Sequence, residues 1–487
     1  MPQRRIVLRT TDHDTEVQTG LGRVRAQFQV PDGFPGPVRD EALATSAAPP
    51  PADLTALPFF TIDPPGSLDL DQAMHLARLP AGYRVSYAIA DVASFVRPGG
   101  AIDTESHSRG VTVYLPDGSA PLHPRELSEG AASLLPGQDR PAVVWTIDLS
   151  PAGETTGVSV RRALVRSRDR LDYAGAQSAL TGDDRIVLLG EIGALLLAAE
   201  AARGGVSLPL PEQEVSRDSG TWSLVFRGGL PAEQWNAQIS LLAGRAAAQI
   251  MLNGGIGLLR TMPPPPPHAV SRLRLAAQAL GVGWPPEVSY GDVVRTLDPA
   301  LSRHAAFLHE AASLMRGAGY TAFVGDPPEH PAHAAVAAPY AHVTAPLRRL
   351  ADRYATEICL SLTAGVPVPG WVRTGLEQLP EVMERTLRRA GAVDRACVDL
   401  VEAVLLRDRI GEVFDAVVID TGDRRPATNG ARPQAGTVQL LHPAVQGRCD
   451  GDLPLGDPVR VRLTEADPAS RRVRFTLVPP AAQVTDV

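Results

Sequence analysis

The order of apolar and polar positions divides the chain into three stretches. A short apolar run, Pro58 to Ile62, predicts a strand, and residues 83–89 alternate so that Tyr83, Val85, Tyr87 and Ile89 share one face of another. Residues 186–203 and 236–253 are rich in Leu and Ala at helical spacing. Five prolines at 263–267 then interrupt the chain, and 268–280 resumes a helix. Two further helices are predicted over 344–363 and 371–405. Strands first and helices afterwards give residues 58–405 the pattern of a mixed α/β domain. After Arg407 the pattern becomes all-β, with short strands over 411–420, 436–441, 458–463 and 471–477 between Gly, Pro and Asp clusters. That predicts a small barrel over 406–487, of which the OB-fold is the commonest nucleic-acid-binding example. Residues 1–57 are polar and irregular and end in a Pro-rich linker at 47–53. They leave a small β unit and a helix-turn-helix both open. The expected architecture is α+β multidomain: a short N-terminal domain, a central mixed α/β domain and a C-terminal all-β OB-fold barrel.

Composition narrows the class without choosing a function. A chain of 487 residues is too long for one ordinary domain, and 44% hydrophobic with 21% charged residues is the balance of a globular protein. No run of 18 apolar residues occurs, which argues against a membrane span. The basic start, Met1 to Glu16, has no apolar stretch behind it and does not read as a secretory leader. Cys359, Cys397 and Cys449 are odd in number and match no zinc spacing, which suits a reducing cytoplasm. No heptad run calls for association, so a monomer is expected. Net charge is −7, yet the chain has no Lys, so all 47 basic residues are Arg. Every cation available for phosphate is then a planar, bidentate guanidinium.

Two segments carry candidate chemistry. In Phe59 to Ala73 an apolar strand delivers Asp63, Pro64-Pro65-Gly66 forces a turn, and Asp69 and Asp71 follow two apart in an extended stretch, pointing to one side. Three converging carboxylates repel one another without a cation, and hard oxygen donors suit Mg2+ or Mn2+. Far downstream runs Tyr340-Ala-His342-Val-Thr344-Ala-Pro346-Leu-Arg348-Arg349, with Asp352 and Tyr354 beyond. Thr344 reads as a helix cap with Pro346 near the first turn, which would put Arg348 and Arg349 in that turn. Cations there oppose the helix dipole and call for an anionic partner.

The chain resembles the ribonuclease II (RNB) family. Asp63, Asp69 and Asp71 fill the first three places of its signature acidic motif. The passage Tyr83 to Asp91 resembles its V-x-I-A-D-V strand, and the blocks Arg109 to Pro116 and Pro121 to Pro136 follow in the family's order. His342 to Asp352 resembles its H-x-T-S-P-I-R-R-x-x-D block. The resemblance implies an RNB catalytic domain with a C-terminal OB-fold. It also implies 3′-to-5′ hydrolysis of single-stranded RNA to nucleoside 5′-monophosphates with metal ions on the acidic cluster. It casts Asp71 as the aspartate most critical for cleavage, Arg348 as the arginine beside the scissile phosphate, and Tyr114 and Tyr173 as contacts to terminal nucleotides. His342 and Arg349 join the RNA-binding set.

The chain departs from the family pattern at three points. Gln72 stands at the fourth acidic position, and a neutral amide is a poorer Mg2+ ligand than a carboxylate. Gln238 and Gly244 stand where a helix of the family tends to carry Glu and a closing Asn. Only about 57 residues precede the catalytic domain, so the RNA entrance must be built differently. The alternative to an active nuclease is an RNA-binding protein that keeps the fold but has lost competent metal binding through Gln72.

Overall fold

Phe59, Phe60, Thr61 and Ile62 are all buried, so strand β1 (Phe59–Ile62) has no solvent face and reads in sequence as an unbroken apolar run. The computed structural model describes residues 11–209, 212–218, 221–299, 301–421 and 435–479. β1 is joined by β2 (Gln72–Leu79), β3 (Gly82–Ala90), β4 (Asp139–Leu149) and β5 (Thr155–Leu171) in a closed five-stranded barrel. Successive strands pair antiparallel, and β1 closes the barrel by running parallel to β5, with Phe60 opposite Asp169. Gly82 makes the β2–β3 turn possible: its φ is +132°, and a Cβ there would lie 1.9 Å from the Leu149 carbonyl oxygen.

Over much of β2, β3 and β4 both faces of the barrel wall are buried, by different means. Met74, Tyr87, Ile89, Trp145 and Ile147 pack under helices α3 (Asp184–Ala202), α4 (Pro231–Asn253) and α5 (Leu350–Ala364). The alternate positions carry smaller side chains, Ala73, Ala88, Ala90, Ala142, Val144 and Ala163. These admit Val38 and Ala42 of the helix Gly36–Ala44. Alternation of large and small groups is the period of two expected when a wall has two dry sides.

Described residues 11–57 form no strand. They form the helices Thr11–Gln27 and Gly36–Ala44, while residues 1–10 lie outside the described residues. Val17, Leu21 and Val24 of the first helix pack on Leu400 and Val404 of the long helix α6 (Leu379–Leu406). A short helix, Gly370–Leu376, precedes α6, so the predicted 371–405 helix is two. The C-terminal strands β6 (Val413–Asp420), β7 (Ala435–Leu440), β8 (Gln446–Asp450), β9 (Pro458–Asp467) and β10 (Arg472–Leu477) close a second barrel. Its core holds Val438, Val461 and the edge-to-face pair Phe414 and Phe475, 6.3 Å apart. Mixed α and β content followed by a closed five-stranded barrel agrees with the expected architecture. Among the described residues no helix is long and apolar enough to cross a membrane.

One predicted element is displaced. The helix expected from Thr344 begins at Leu350, with Arg349 at its N-cap in extended conformation. Residues 344–349 form a turn instead, so Arg348 and Arg349 precede the helix. The cause is the carboxylate of Asp352, which lies one turn in and draws the Ala345 amide to itself at 2.7 Å.

Candidate active site

At the end of β1 the Asp63 amide is tied to the Leu171 carbonyl at 3.1 Å, which fixes where the turn starts. The chain reverses through Gly66 at φ +82°. It then runs extended past Leu70, which is fully buried and donates its amide to Ser133 Oγ at 3.0 Å. Leu70 pulls the strand inward. Asp69 and Asp71, its neighbours, therefore share the opposite side.

Asp71 is 3% exposed, and both its oxygens meet the 344–349 turn. Oδ1 accepts the Leu347 amide at 2.8 Å, and Oδ2 accepts Arg348 Nε at 3.1 Å. The Arg348 side chain is nonetheless 45% exposed, so its guanidinium stands between the carboxylate and solvent. Tyr114, on the hairpin Val113–Leu115 and Gly118–Ala120, is 53% exposed and donates its hydroxyl to Asp69 Oδ2 at 3.2 Å. Tyr173 is half-buried, its hydroxyl accepting from Asn236 Nδ2 at 3.4 Å, within electrostatic reach of Asp63 and Arg348. These residues, drawn from positions 63 to 348, meet at one end of the first barrel.

His342 and Arg349 lie on the flank of this group. The His342 Nδ1 bonds the Tyr320 hydroxyl at 2.6 Å. Burial, and then Arg349 and Arg260, hold its imidazole well below the ordinary range, so it is neutral. Arg349 is committed to Asp352 through Nε and Nη2, both at 2.9 Å.

Gln72 does not face the carboxylates as a ligand. Its Nε2 donates to the Thr344 carbonyl at 2.7 Å, and its Oε1 accepts the Tyr87 hydroxyl at 2.5 Å. The side chain is a strut between β2, β3 and the turn, and both ends of its amide are occupied. Gln238 is likewise turned away, bonded at 2.5 Å to Glu200 of α3. At Gly244 a Cβ would lie 2.2 Å from the Tyr340 ring and 2.5 Å from the Ala341 carbonyl oxygen. An Asn side chain has no room there, and residues 340–341 lie directly on α4, with the Ala341 amide donating to the Gly244 carbonyl at 3.1 Å. Sequence reasoning marks Gln238 and Gly244 as departures but misses Tyr87, and it uses Asp352 only as a motif position. Neither contact has a local signal.

The carboxylates suit a cation. Burial raises the carboxyl of Asp71 to about 7 and that of Asp63 to about 6, each counteracted by Arg348. Asp63 Oδ2 is buried with no hydrogen-bond partner. Among the described residues no three His, Cys, Asp or Glu side chains form a ready-made cage, and Asp71 is held by Arg348 and the Leu347 amide. Hard oxygen donors, one of them orphaned, and carboxyls short of positive charge fit a divalent cation.

Comparison with known proteins follows the same outline. The RNB domain pattern matches residues 52–362, and that of the RNase II-type exonuclease C-terminal S1 domain matches 412–478. The exosome complex exonuclease RRP44 homolog A of Arabidopsis thaliana is 30% identical over 391 residues, covering 73% of this chain and 40% of that protein. Ribonuclease R of Vibrio cholerae is 26% identical over 434 residues, covering 80% of this chain and 51% of that protein. The chain thus spans about half or less of the length of these relatives. The structure of Mycoplasma genitalium RNase R in complex with ribose-methylated single-stranded RNA superposes with a TM-score of 0.83 at 19% identity. The match covers 95% of this chain and 78% of that one.

Proposed function

The chain belongs to the RNB family, and from that premise we propose that it is an exoribonuclease hydrolysing single-stranded RNA from the 3′ end with Mg2+ or Mn2+. The observation that carries this reading is Asp71, a buried carboxylate placed against an exposed arginine. A protein that only binds RNA has no use for buried carboxylates facing phosphate.

Asp63, Asp69 and Asp71 would hold the cation, with Gln72 outside the ligand set. A bound divalent ion would supply Lewis acidity and an activated water. Tyr114 and Tyr173 offer rings on which terminal bases stack, at about 1–3 kcal/mol per base for any sequence. Arg348 takes the scissile phosphate. To do so it exchanges Asp71 for a phosphate oxygen, which swaps one anion for another and frees Asp71 as the substrate seats. The guanidinium then balances charge that develops during cleavage.

The test is a 5′-labelled single-stranded RNA incubated with the protein and Mg2+. A ladder shortening from the 3′ end is expected. One observation favours a second reading, an RNA-binding protein without catalysis: the amide of Gln72 is fully engaged at the fourth acidic position. Intact RNA that is nonetheless bound would select that reading.

Affinity for Mg2+ is expected to rise with pH between about 5 and 8, because the cation displaces protons from Asp63 and Asp71. The gain approaches tenfold per pH unit for each proton displaced. The sign for the metal-free protein is opposite. Folded values of about 6 and 7 against 3.8 mean that these groups stabilise the fold fully below pH 3.8 and lose that contribution as pH rises through 7. Melting temperature with and without Mg2+ at pH 5.5 and pH 8 checks both signs; an equal Mg2+ shift at the two pH values would count against it.

A further inference from the structure

Beside the 344–349 turn lies a cation that the site as described does not use. Arg260 sits in the strand Ile256–Thr261, directly opposite Tyr320 in the paired strand Gly319–Val324. Its amide donates to the Tyr340 carbonyl at 2.8 Å, which ties this strand to the segment leading to His342. The guanidinium carbon lies 4.7 Å from the centre of the Tyr320 ring. That ring bonds His342, and Tyr340 packs edge-on against His342 with centroids 5.4 Å apart. Arg260 is half-buried, yet among the described residues its side chain makes no salt bridge or hydrogen bond.

That combination is unusual for a structural arginine. A guanidinium taken partly out of water normally meets a carboxylate, because uncompensated desolvation is costly. Here the charged side chain that acts on it is another arginine, Arg349, and Asp352 already satisfies that one. Lying over an aromatic ring, a guanidinium spends its face and keeps its N–H edges, the part that grips a phosphate with two parallel bonds. Nε2 of His342 has no partner among the described residues either, since the Tyr320 hydroxyl takes Nδ1.

We propose that Arg260, stacked on Tyr320 beside His342, is a seat for a backbone phosphate of RNA, at a linkage adjacent to the one held by Arg348. This rests on the RNA-degrading reading and adds to it a second fixed point. With Arg348 and Arg260 on neighbouring linkages, the strand is held in register before the terminal bases stack on Tyr114 and Tyr173. Phosphate contacts set position and carry no sequence information, so the seat serves any RNA.

The experiment measures binding of a 5′-labelled ten-nucleotide RNA in excess chelator, so that nothing is cut. Wild type, Arg260→Gln and Arg260→Lys are compared, with RNAs carrying one neutral methylphosphonate at each linkage in turn. Beside the loss at the linkage held by Arg348, wild type is expected to lose about tenfold in affinity at the adjacent linkage, the value of one charge-assisted contact. Arg260→Gln should bind unmodified RNA about tenfold more weakly and be indifferent to that substitution. Its slope of log affinity against log salt should shrink by about 0.7. Arg260→Lys, which keeps the charge, should retain the slope and lose part of the affinity, and it stands in if the Gln variant melts early. A Gln variant as sensitive as wild type at every linkage, with an unchanged slope, overturns the seat. RNA left unbound by wild type overturns the RNA reading instead. Inorganic phosphate then decides the seat: a melting shift lost in Arg260→Gln supports an anion site, and equal shifts refute it.

Discussion

Replacing Asp71 by Asn is expected to leave a stable protein that binds RNA and does not shorten it. The exchange conserves shape, and the Leu347 amide keeps an oxygen acceptor in Oδ1. What disappears is the charge. Removing one electrostatic group that acts on a developing transition state costs on the order of a thousandfold in rate. Stability should move the other way or not at all. The Asp71 carboxyl is held up to about 7 by burial, so its ionised form is costly in the fold, and a neutral amide removes that cost. Arg348 loses its partner, but at 45% exposure its guanidinium has water available. A 5′-labelled RNA time course beside a melting curve checks both halves. Shortening at the wild-type rate would remove Asp71 from the chemistry altogether.

Asp352→Ala should have the largest effect on stability, a loss of about 3–5 kcal/mol, the range for breaking a buried ion pair. Asp352 is fully buried, and its oxygens accept three donors: the Ala345 amide and Arg349 Nε and Nη2. Truncation strands all three. The same cut frees the turn that presents Arg348, leaving it tied by the Leu347–Asp71 bond, the Gln72–Thr344 bond and the Thr112 amide on the Arg348 carbonyl. Urea unfolding gives the stability change, and a loss below about 1 kcal/mol would mean that the carboxylate does not hold the turn.

Much of the site is legible in the order of residues alone. Asp63, Asp69 and Asp71 are set by a strand, a Pro-Gly turn and a single inward Leu70, all local features of the chain. The second barrel is legible for the same reason: its strands alternate and its turns carry Gly, Pro and Asp. What escapes is long-range. Thr344-Ala-Pro346 has the composition of a helix start, but the Asp352 carboxylate and Asp71, 276 positions before Leu347, bind that backbone in another shape. Gln72 reads as a weakened metal ligand until Tyr87 and Thr344 are seen to hold it. β4 gives no clear strand signal, because a strand buried on both faces lacks the plain polar alternation of a half-exposed one. Arg260 gives no sign in sequence, since an unpaired arginine is defined by what fails to surround it.

The span between Asp71 and Leu347 also has a consequence in time. The carboxylates leave the ribosome with the first strands of the barrel, while the turn that completes them is made 276 residues later. Until then no Arg348 stands before Asp71 and no Thr344 carbonyl anchors Gln72, so a half-made chain carries the acidic motif without the arrangement that gives it purpose. Loop-closure entropy must be met over that whole interval before the two halves stabilise each other. The site is therefore acquired late as this polypeptide is born, well after its acidic residues have emerged.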